Sequence, residues 1–395
     1  MAAALLPVAE AQQRLFARAV PLAEEAAPLL QAAGRWAARD VLALRTQPAS
    51  ALSAMDGYAI RFADLPGPWA VIGESAAGHG FADEVAPGQA VRIFTGAPLP
   101  PGADTILVQE EAAREGDRLT LAGEGPPRLG SSVRARGLDF GEGDVLVRAG
   151  ERLTPARLAL AALAGHATLP ARRKVRVALL STGDELIPPG AQLGPDQIPE
   201  TNRLLLASML ADLPVELIDL GILPDRQEVL EAAFRALDCD LLVTTGGASV
   251  GDHDLVRPAL LAAGAEIDFW KIALRPGKPM MAGRLGDAML LGLPGNPVSV
   301  FATATLFVRP LIAHLAGAAD PLPRRRVVEL GEPLPATGAR ADYLRGALVD
   351  GRAFAATIQD SSMLRTLARA NCLIVRPAGA AAAKTGDSAE ILDIA

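Results

Sequence analysis

The chain has 395 residues, half of them hydrophobic, which is more than one ordinary core needs and suggests roughly two to four domains. A net charge of -7 gives no basic stripe for nucleic acid, and any anionic ligand must be met locally, by a few aimed cations and backbone amides. The two cysteines, Cys239 and Cys372, lie far apart, and the four histidines are dispersed, which argues against a disulfide framework or a zinc site and for a reduced, cytosolic compartment. The first ten residues carry no signal-peptide pattern. No run approaches the roughly 18 apolar residues of a membrane span, so no membrane partner is expected.

Residues 8–40 read as helical, with an apolar stripe of Val8, Leu15, Phe16 and Ala19 and breaks at Pro21 and Pro28. From Val41 to Val147 the texture becomes short apolar runs between Gly, Pro and Asp turns: Trp69–Ile72, Ala90–Phe94 and Thr105–Val108. Helical pattern returns at Thr154, a plausible N-cap, with Pro155 suited to the first helical position. The expectation is a discontinuous helical domain, 1–40 and 148–172, holding an inserted β domain at 41–147.

From Lys174 strands and helices alternate, which implies a mostly parallel sheet covered on both faces, over 173–320. Strands are expected at 175–180, 215–220, 240–245, 266–272 and 288–291, and helices at 202–213, 226–237, 255–263 and 297–316. Beyond Pro321-Leu-Pro323 come short strands at 326–330, 343–348, 354–358 and 372–375, a small β-barrel-like C-terminal domain over 321–395.

Ligands of an open α/β sheet bind beyond the carboxyl ends of its strands. Two polar loops fall there: Ser181-Thr-Gly-Asp-Glu185 and Thr244-Thr-Gly-Gly-Ala-Ser-Val-Gly-Asp-His-Asp254. Glycines such as Gly183, Gly246 and Gly247 let backbone N–H groups approach a phosphate, and the hydroxyls can take the remaining oxygens. The carboxylates suit a hard cation such as Mg²⁺ beside that phosphate, although Asp184 and Asp252 also suit plain helix or turn caps. Arg275-Pro-Gly-Lys278 sets two cations on a stiffened turn that suits a small oxyanion, or a solvated turn. Leu293-Pro-Gly-Asn-Pro-Val-Ser299 opens the last long helix, where unpaired amides favour anions, though the spelling equally suits a simple helix start. There is no Walker-type phosphate loop, no dinucleotide fingerprint after a strand and no nucleophile elbow.

Six segments then occur in one order: Ser53-Ala-Met-Asp-Gly-Tyr-Ala59, Phe94-Thr-Gly-Ala-Pro98, Ser181-Thr-Gly-Asp-Glu185, Gly246-Gly-Ala-Ser-Val-Gly251, Arg275-Pro-Gly-Lys-Pro279 and Leu293-Pro-Gly-Asn-Pro-Val-Ser299. This order resembles the MoeA-type molybdopterin molybdenumtransferases, including the E domain of gephyrin, over nearly the whole chain. The resemblance implies a homodimer that inserts molybdenum from molybdate into adenylylated molybdopterin, releasing AMP with Mg²⁺ assisting. Each site would be shared between subunits. It implies cross-subunit contributions from Asp56 and Thr95, and further acidic positions at Asp139, Asp184, Glu185, Asp225 and Asp254, of which Asp184, Glu185 and Asp254 would hold the metal. Ser181, Thr182, Gly183, Gly246, Gly247, Ser249 and Asn296 would hold the pterin phosphate region, and Arg275, Lys278, Arg345 and Ser361 the molybdate, with Arg340 and Ser362 as neighbouring alternatives for the last two. Some relatives have Lys where this chain has Arg275, replacing a point charge by a bidentate fork. A molybdopterin adenylyltransferase shares the α/β domain but needs neither the first 170 residues nor the C-terminal domain. A non-catalytic scaffold would bind a peptide at the dimer surface. The adenylyltransferase and molybdoenzymes are the transient partners the resemblance implies.

Overall fold

The computed structural model describes residues 5–246 and 255–394. At its centre is a six-stranded sheet in the order Val215–Leu223, Val175–Thr182, Leu241–Thr245, Ala288–Leu293, Pro279–Leu285, Ala265–Lys271. The first four strands run parallel and the last two pairings are antiparallel. The strands at 175–182, 241–245 and 288–293 are buried almost throughout. Alternate side chains serve opposite faces. Val177, Leu179, Val243 and Leu291 join a core with the helices Asn202–Leu210 and 297–315, while Ala178, Leu180, Leu242 and Leu290 join Leu230, Phe234 and Leu260 on the other side. Burial on both faces is what a parallel sheet requires.

The long helix is one continuous element, with a π turn at Ala304–Val308 just before Pro310. Proline removes a helix N–H and crowds the preceding turn, and a π turn absorbs that misfit. The segment is long and apolar enough to span a membrane, contrary to the expectation that no such run exists, but 78% of its apolar window is buried inside the protein. It is the core helix of the α/β unit.

The helix Val8–Arg18 packs on this unit rather than beginning a helical run to residue 40. Its Gln12 Nε2 donates to Leu306 O at 2.8 Å, and Phe16 stacks on His314 at 5.0 Å. Residues Glu24–Pro28, expected to be helical, form a strand antiparallel to Thr168–Arg172. The pairing partner lies about 140 residues away, so local pattern favours helix while the tertiary contact decides. The expected N-cap is present: Thr154 accepts from Arg157 N at 3.4 Å at the start of the helix Pro155–Leu163.

The inserted unit is a six-stranded sheet in the order 105–108, 57–60, 89–93, 69–75, 118–121, 112–115. The C-terminal strands close into a five-stranded barrel, since Ala341–Val349 pairs with both Arg352–Ala355 and Cys372–Arg376. The strand Ser388–Asp393, not expected from sequence, completes it. Pro279–Leu285 was also unexpected as a strand; it follows a Pro-Gly turn and carries Gly283 in its middle. A Cβ on Gly283 would lie 1.9 Å from Glu266 O. Gly283→Ala should therefore lose about 1–3 kcal/mol of stability, or more if the edge pairing opens, read as a lowered urea midpoint.

Candidate active site at the carboxyl ends of the parallel strands

The parallel strands end together. Ser181 lies opposite Thr245, and Thr245 opposite Leu293. A groove of about 420 Å³ opens there, lined by Thr182, Glu185, Glu200, Thr245, Gly246 and Asn296, with Ser362 and Leu364 from the barrel on one side. Gly246 has φ +86°, and a Cβ on it would stand 2.5 Å from Thr182 O, so only glycine lets these two strand ends approach. Gly183, at φ +152°, has the carboxylate of Glu185 2.6 Å from where a Cβ would sit, a flexible side-chain end that can move aside.

The expected loop residues separate into different roles. Ser181 is fully buried and bonds Glu200 Oε1 at 2.9 Å and Thr245 Oγ1 at 2.8 Å. Thr182 Oγ1 donates to Asp225, and Asp225 N donates to Asp184 Oδ1 at 3.2 Å. Asp184 lines a neighbouring hollow of about 490 Å³ with Arg203 and Pro224, whereas Glu185 lines the groove. Among the described residues no three acidic, histidine or cysteine groups converge as a cation site. Gly247, Ser249, Asp252 and Asp254 lie outside the described residues.

Glu200, Asn202 and Arg203 belong to the site although the sequence pattern did not single them out. Pro199-Glu-Thr-Asn202 reads as an ordinary helix start. No local signal marks Glu200, because its partner Ser181 lies 19 residues away in the sequence. Glu200, 2% exposed, accepts from Ser181 Oγ and from Arg203 N at 2.8 Å. Asn202 Nδ2 donates to Gly295 O at 2.7 Å and so ties the helix to the opposite loop.

The barrel reaches the groove through one segment. Asn296 Nδ2 donates to Ser361 Oγ at 2.8 Å, and Val298 N donates to Ser361 O at 3.1 Å. Arg345, expected as a molybdate ligand, is 1% exposed and holds this segment from behind, donating to Ile358 O and Met363 O at 3.3 Å each. Burial lowers its pKa from the ordinary arginine value. Arg275 and Lys278 lie on the exposed turn that packs on the long helix, where a Cβ on Gly277 would meet Thr303 Cγ2 at 2.7 Å. Arg275 pairs with the buried Asp342 of the barrel, and Lys278 has no ion-pair partner among the described residues.

Asp56 and Thr95 meet in the inserted unit because the antiparallel pair Gly57↔Ile93 places their positions at one sheet end. Asp56 Oδ1 accepts from Thr95 N at 2.8 Å and from Thr95 Oγ1 at 2.9 Å. Arg92 lies between the Tyr58 and Phe94 rings, 5.1 and 4.8 Å from their centroids. Among the described residues, none from this unit lines the groove. Asp139 is exposed, anchored through its backbone N–H on Gln47 O at 3.0 Å.

The Thr95 backbone N–H, then its hydroxyl, hold the Asp56 carboxyl below the ordinary value of 3.8. The sign follows: a depressed carboxyl contributes its contact above pH 3.8, and the contact is lost as pH falls through the lowered folded value. An NMR titration should give Asp56 a midpoint below 3.8, and Thr95→Val should move it only part of the way back, since the backbone donor remains.

Three family models match the chain: "MoeA N-terminal region (domain I and II)" over residues 6–165, "Probable molybdopterin binding domain" over 178–314, and "MoeA C-terminal region (domain IV)" over 327–394. The "Molybdopterin molybdenumtransferase" of Haemophilus influenzae is 42% identical over 301 residues, 75% of this chain and 74% of that protein. That of a Nostoc species is 35% identical over 360 residues, covering 87% and 82%. The crystal structure of the "molybdopterin biosynthesis moeA protein" from Pyrococcus horikoshii superposes with a TM-score of 0.84 at 28% identity, covering 99% of this chain and all of that one. With motifs, architecture and near full-length similarity in agreement, this chain belongs to the MoeA family of molybdopterin molybdenumtransferases.

Proposed function

We propose that the chain inserts molybdenum from molybdate into adenylylated molybdopterin, with release of AMP and formation of molybdenum cofactor. The observation that carries this reading is the groove where the parallel strands end, floored by Thr182, Thr245 and Gly246 and closed by the barrel segment at Ser361–Ser362. Gly246 gives backbone access to a phosphate. Arg275 and Lys278 supply the local positive charge that a chain of net charge -7 lacks overall. The reaction depends mainly on positioning. Molybdate must be held beside the dithiolene, and the charge developing on the departing phosphate must be met by fixed donors. Asp342 orients the Arg275 fork, which leaves Lys278 as the mobile point charge for the tetrahedral oxyanion. Lys278→Ala should raise the apparent KM for molybdate by roughly 10- to 100-fold, the cost of one charge-assisted contact, with a smaller change in kcat.

The same proposal includes Mg²⁺ assistance. Magnesium takes oxygen ligands in a tight octahedron and keeps several waters. Asp184 and Glu185 line different hollows, and no three ligands converge among the described residues, so those residues do not by themselves form a magnesium cage.

The active unit in this reading is a homodimer whose site takes Asp56 and Thr95 from the second subunit. Two observations support it. The Asp56–Thr95 corner is preorganised yet lines no part of its own chain's groove. An apolar strip of Leu42, Leu44, Val145 and Leu163 is 37–57% exposed, with Leu42 and Val145 paired across two short strands. A cytoplasmic setting fits two separate free thiols, Cys239 and Cys372. Molybdopterin adenylyltransferase and molybdoenzymes would be transient partners on either side of the reaction. Subunit mixing tests the shared site. Asp56→Ala and Gly246→Ala homodimers should each be inactive, and refolding them together should restore about a quarter of wild-type sites, since half the dimers are mixed and each has one intact site. Absence of any recovery, with mixed dimers demonstrably formed, would refute sharing.

A further inference from the structure

The hydroxyl groups at the strand ends are polarised in one direction. The Glu200 carboxylate, paired with Arg203 Nε at 3.9 Å, accepts from Arg203 N at 2.8 Å and from Ser181 Oγ at 2.9 Å. A carboxylate has no proton to give, so Ser181 must donate to it. With its proton committed, Ser181 only accepts across its 2.8 Å contact with Thr245 Oγ1. Thr245 is therefore the donor there, and it retains only lone pairs for the groove that it lines. Thr182 commits its proton to Asp225, and Ser362 to Asp360 Oδ1 at 2.6 Å. Asn202 is held by Nδ2 on Gly295 O, which fixes the amide's orientation and leaves Oδ1 buried without a partner. Thr201, and Ser361, whose Oγ accepts from Asn296, are the hydroxyls at the groove with no acceptor for their protons among the described residues.

We propose that Thr182, Thr245 and Asn202 form an acceptor surface that reads the N–H and NH₂ groups of a pterin ring, and that Glu200 is the positioning residue that sets this polarity. The inference rests on the reading of the substrate as a molybdopterin and deepens it. An ionised phosphate brings only lone pairs, which these groups repel, so in this proposal the phosphate sits at the backbone of Gly246 rather than on these side chains. This reverses the first expectation for the hydroxyls of Ser181 and Thr182: they orient the floor of the groove and do not bind phosphate oxygens. A pterin analogue lacking its ring donors would leave buried acceptors unpaired, which is how such a site rejects it.

The test compares equilibrium binding of 6-hydroxymethylpterin with that of AMP to the full-length protein and its variants. Thr245→Val keeps the shape but removes the lone pairs. It should weaken the pterin by at least about tenfold and change AMP by less than about twofold. Thr245→Ser keeps the hydroxyl and should recover most of the pterin affinity, which separates recognition from misfolding. Glu200→Gln supplies its own amide donor and relaxes the proton order, so pterin affinity should fall while AMP binds as well or better. AMP weakened as much as the pterin by Thr245→Val, or a pterin affinity indifferent to it, would overturn the inference. Turnover of adenylylated molybdopterin by the wild-type chain is the separate control. If that turnover is present while Thr245→Val fails to discriminate, only the acceptor surface falls; if it is absent, the functional reading falls with it.

Discussion

Three parallel strands buried on both faces have no side on which to carry a polar residue. At 175–182, 241–245 and 288–293 the side chains alternate between two cores, and both are apolar. Apart from Arg176 near the start of the first strand, hydrogen-bonding side chains are therefore confined to the last one or two positions of each strand and the loops beyond. Ser181, Thr182 and Thr245 sit there, at most 3% exposed, and each must be satisfied at the sheet's edge. The buried Glu200 follows from that constraint. It enters from the next helix start and terminates a short chain of hydroxyls that would otherwise be left unpaired.

The remaining units act on this edge from outside. At this edge the barrel makes side-chain contacts through Ser361 on Asn296 and through Asp342 on Arg275, and it is joined to the α/β unit more broadly by the pairing of Leu274–Arg275 with Ala341–Asp342 and by a shared apolar core that includes Tyr343, Leu373 and Val375. Arg345 stiffens the first of these from within the barrel, and a buried guanidinium shared among backbone carbonyls is well suited to hold a loop in one conformation. The inserted unit contributes a different kind of element, a carboxylate fixed by two Thr95 donors at the end of its own sheet. Each unit thus prepares a rigid piece, and under the shared-site proposal the pieces become one site only when two subunits bring them together.

Much of this was legible in the sequence because continuous apolar runs ending in glycine-rich polar loops have few other solutions. The strand at 175–182 and its loop, the strand at 241–245, and the helix cap at Thr154 all follow from local chemistry. What escaped was decided at a distance. Glu24–Pro28 falls in a stretch that reads as helical but pairs with residues near 170. Pro279–Leu285 looks like a continuation of its turn, and only its neighbours on both sides make it a strand. Glu200 reads as a helix start, since nothing nearby reveals that Ser181 needs it. Arg345 reads as an anion ligand by resemblance, while the fold buries it behind the loop it supports. The motif order identified the family, but the direction of each hydroxyl's proton emerged only from the coordinates.

The junction between barrel and α/β unit has a thermodynamic consequence. Because Ser362 and Leu364 form one wall of the groove and Asn296 another, a bound ligand contacts both units at once. Any molecule that binds only the assembled arrangement stabilises it by mass action. Substrate occupancy and barrel docking are then linked functions: filling the groove tightens the interface, and loosening the interface weakens the ligand by the same free energy. The barrel, which supplies little of the groove's floor, thereby becomes a means of tuning its affinity from a distance.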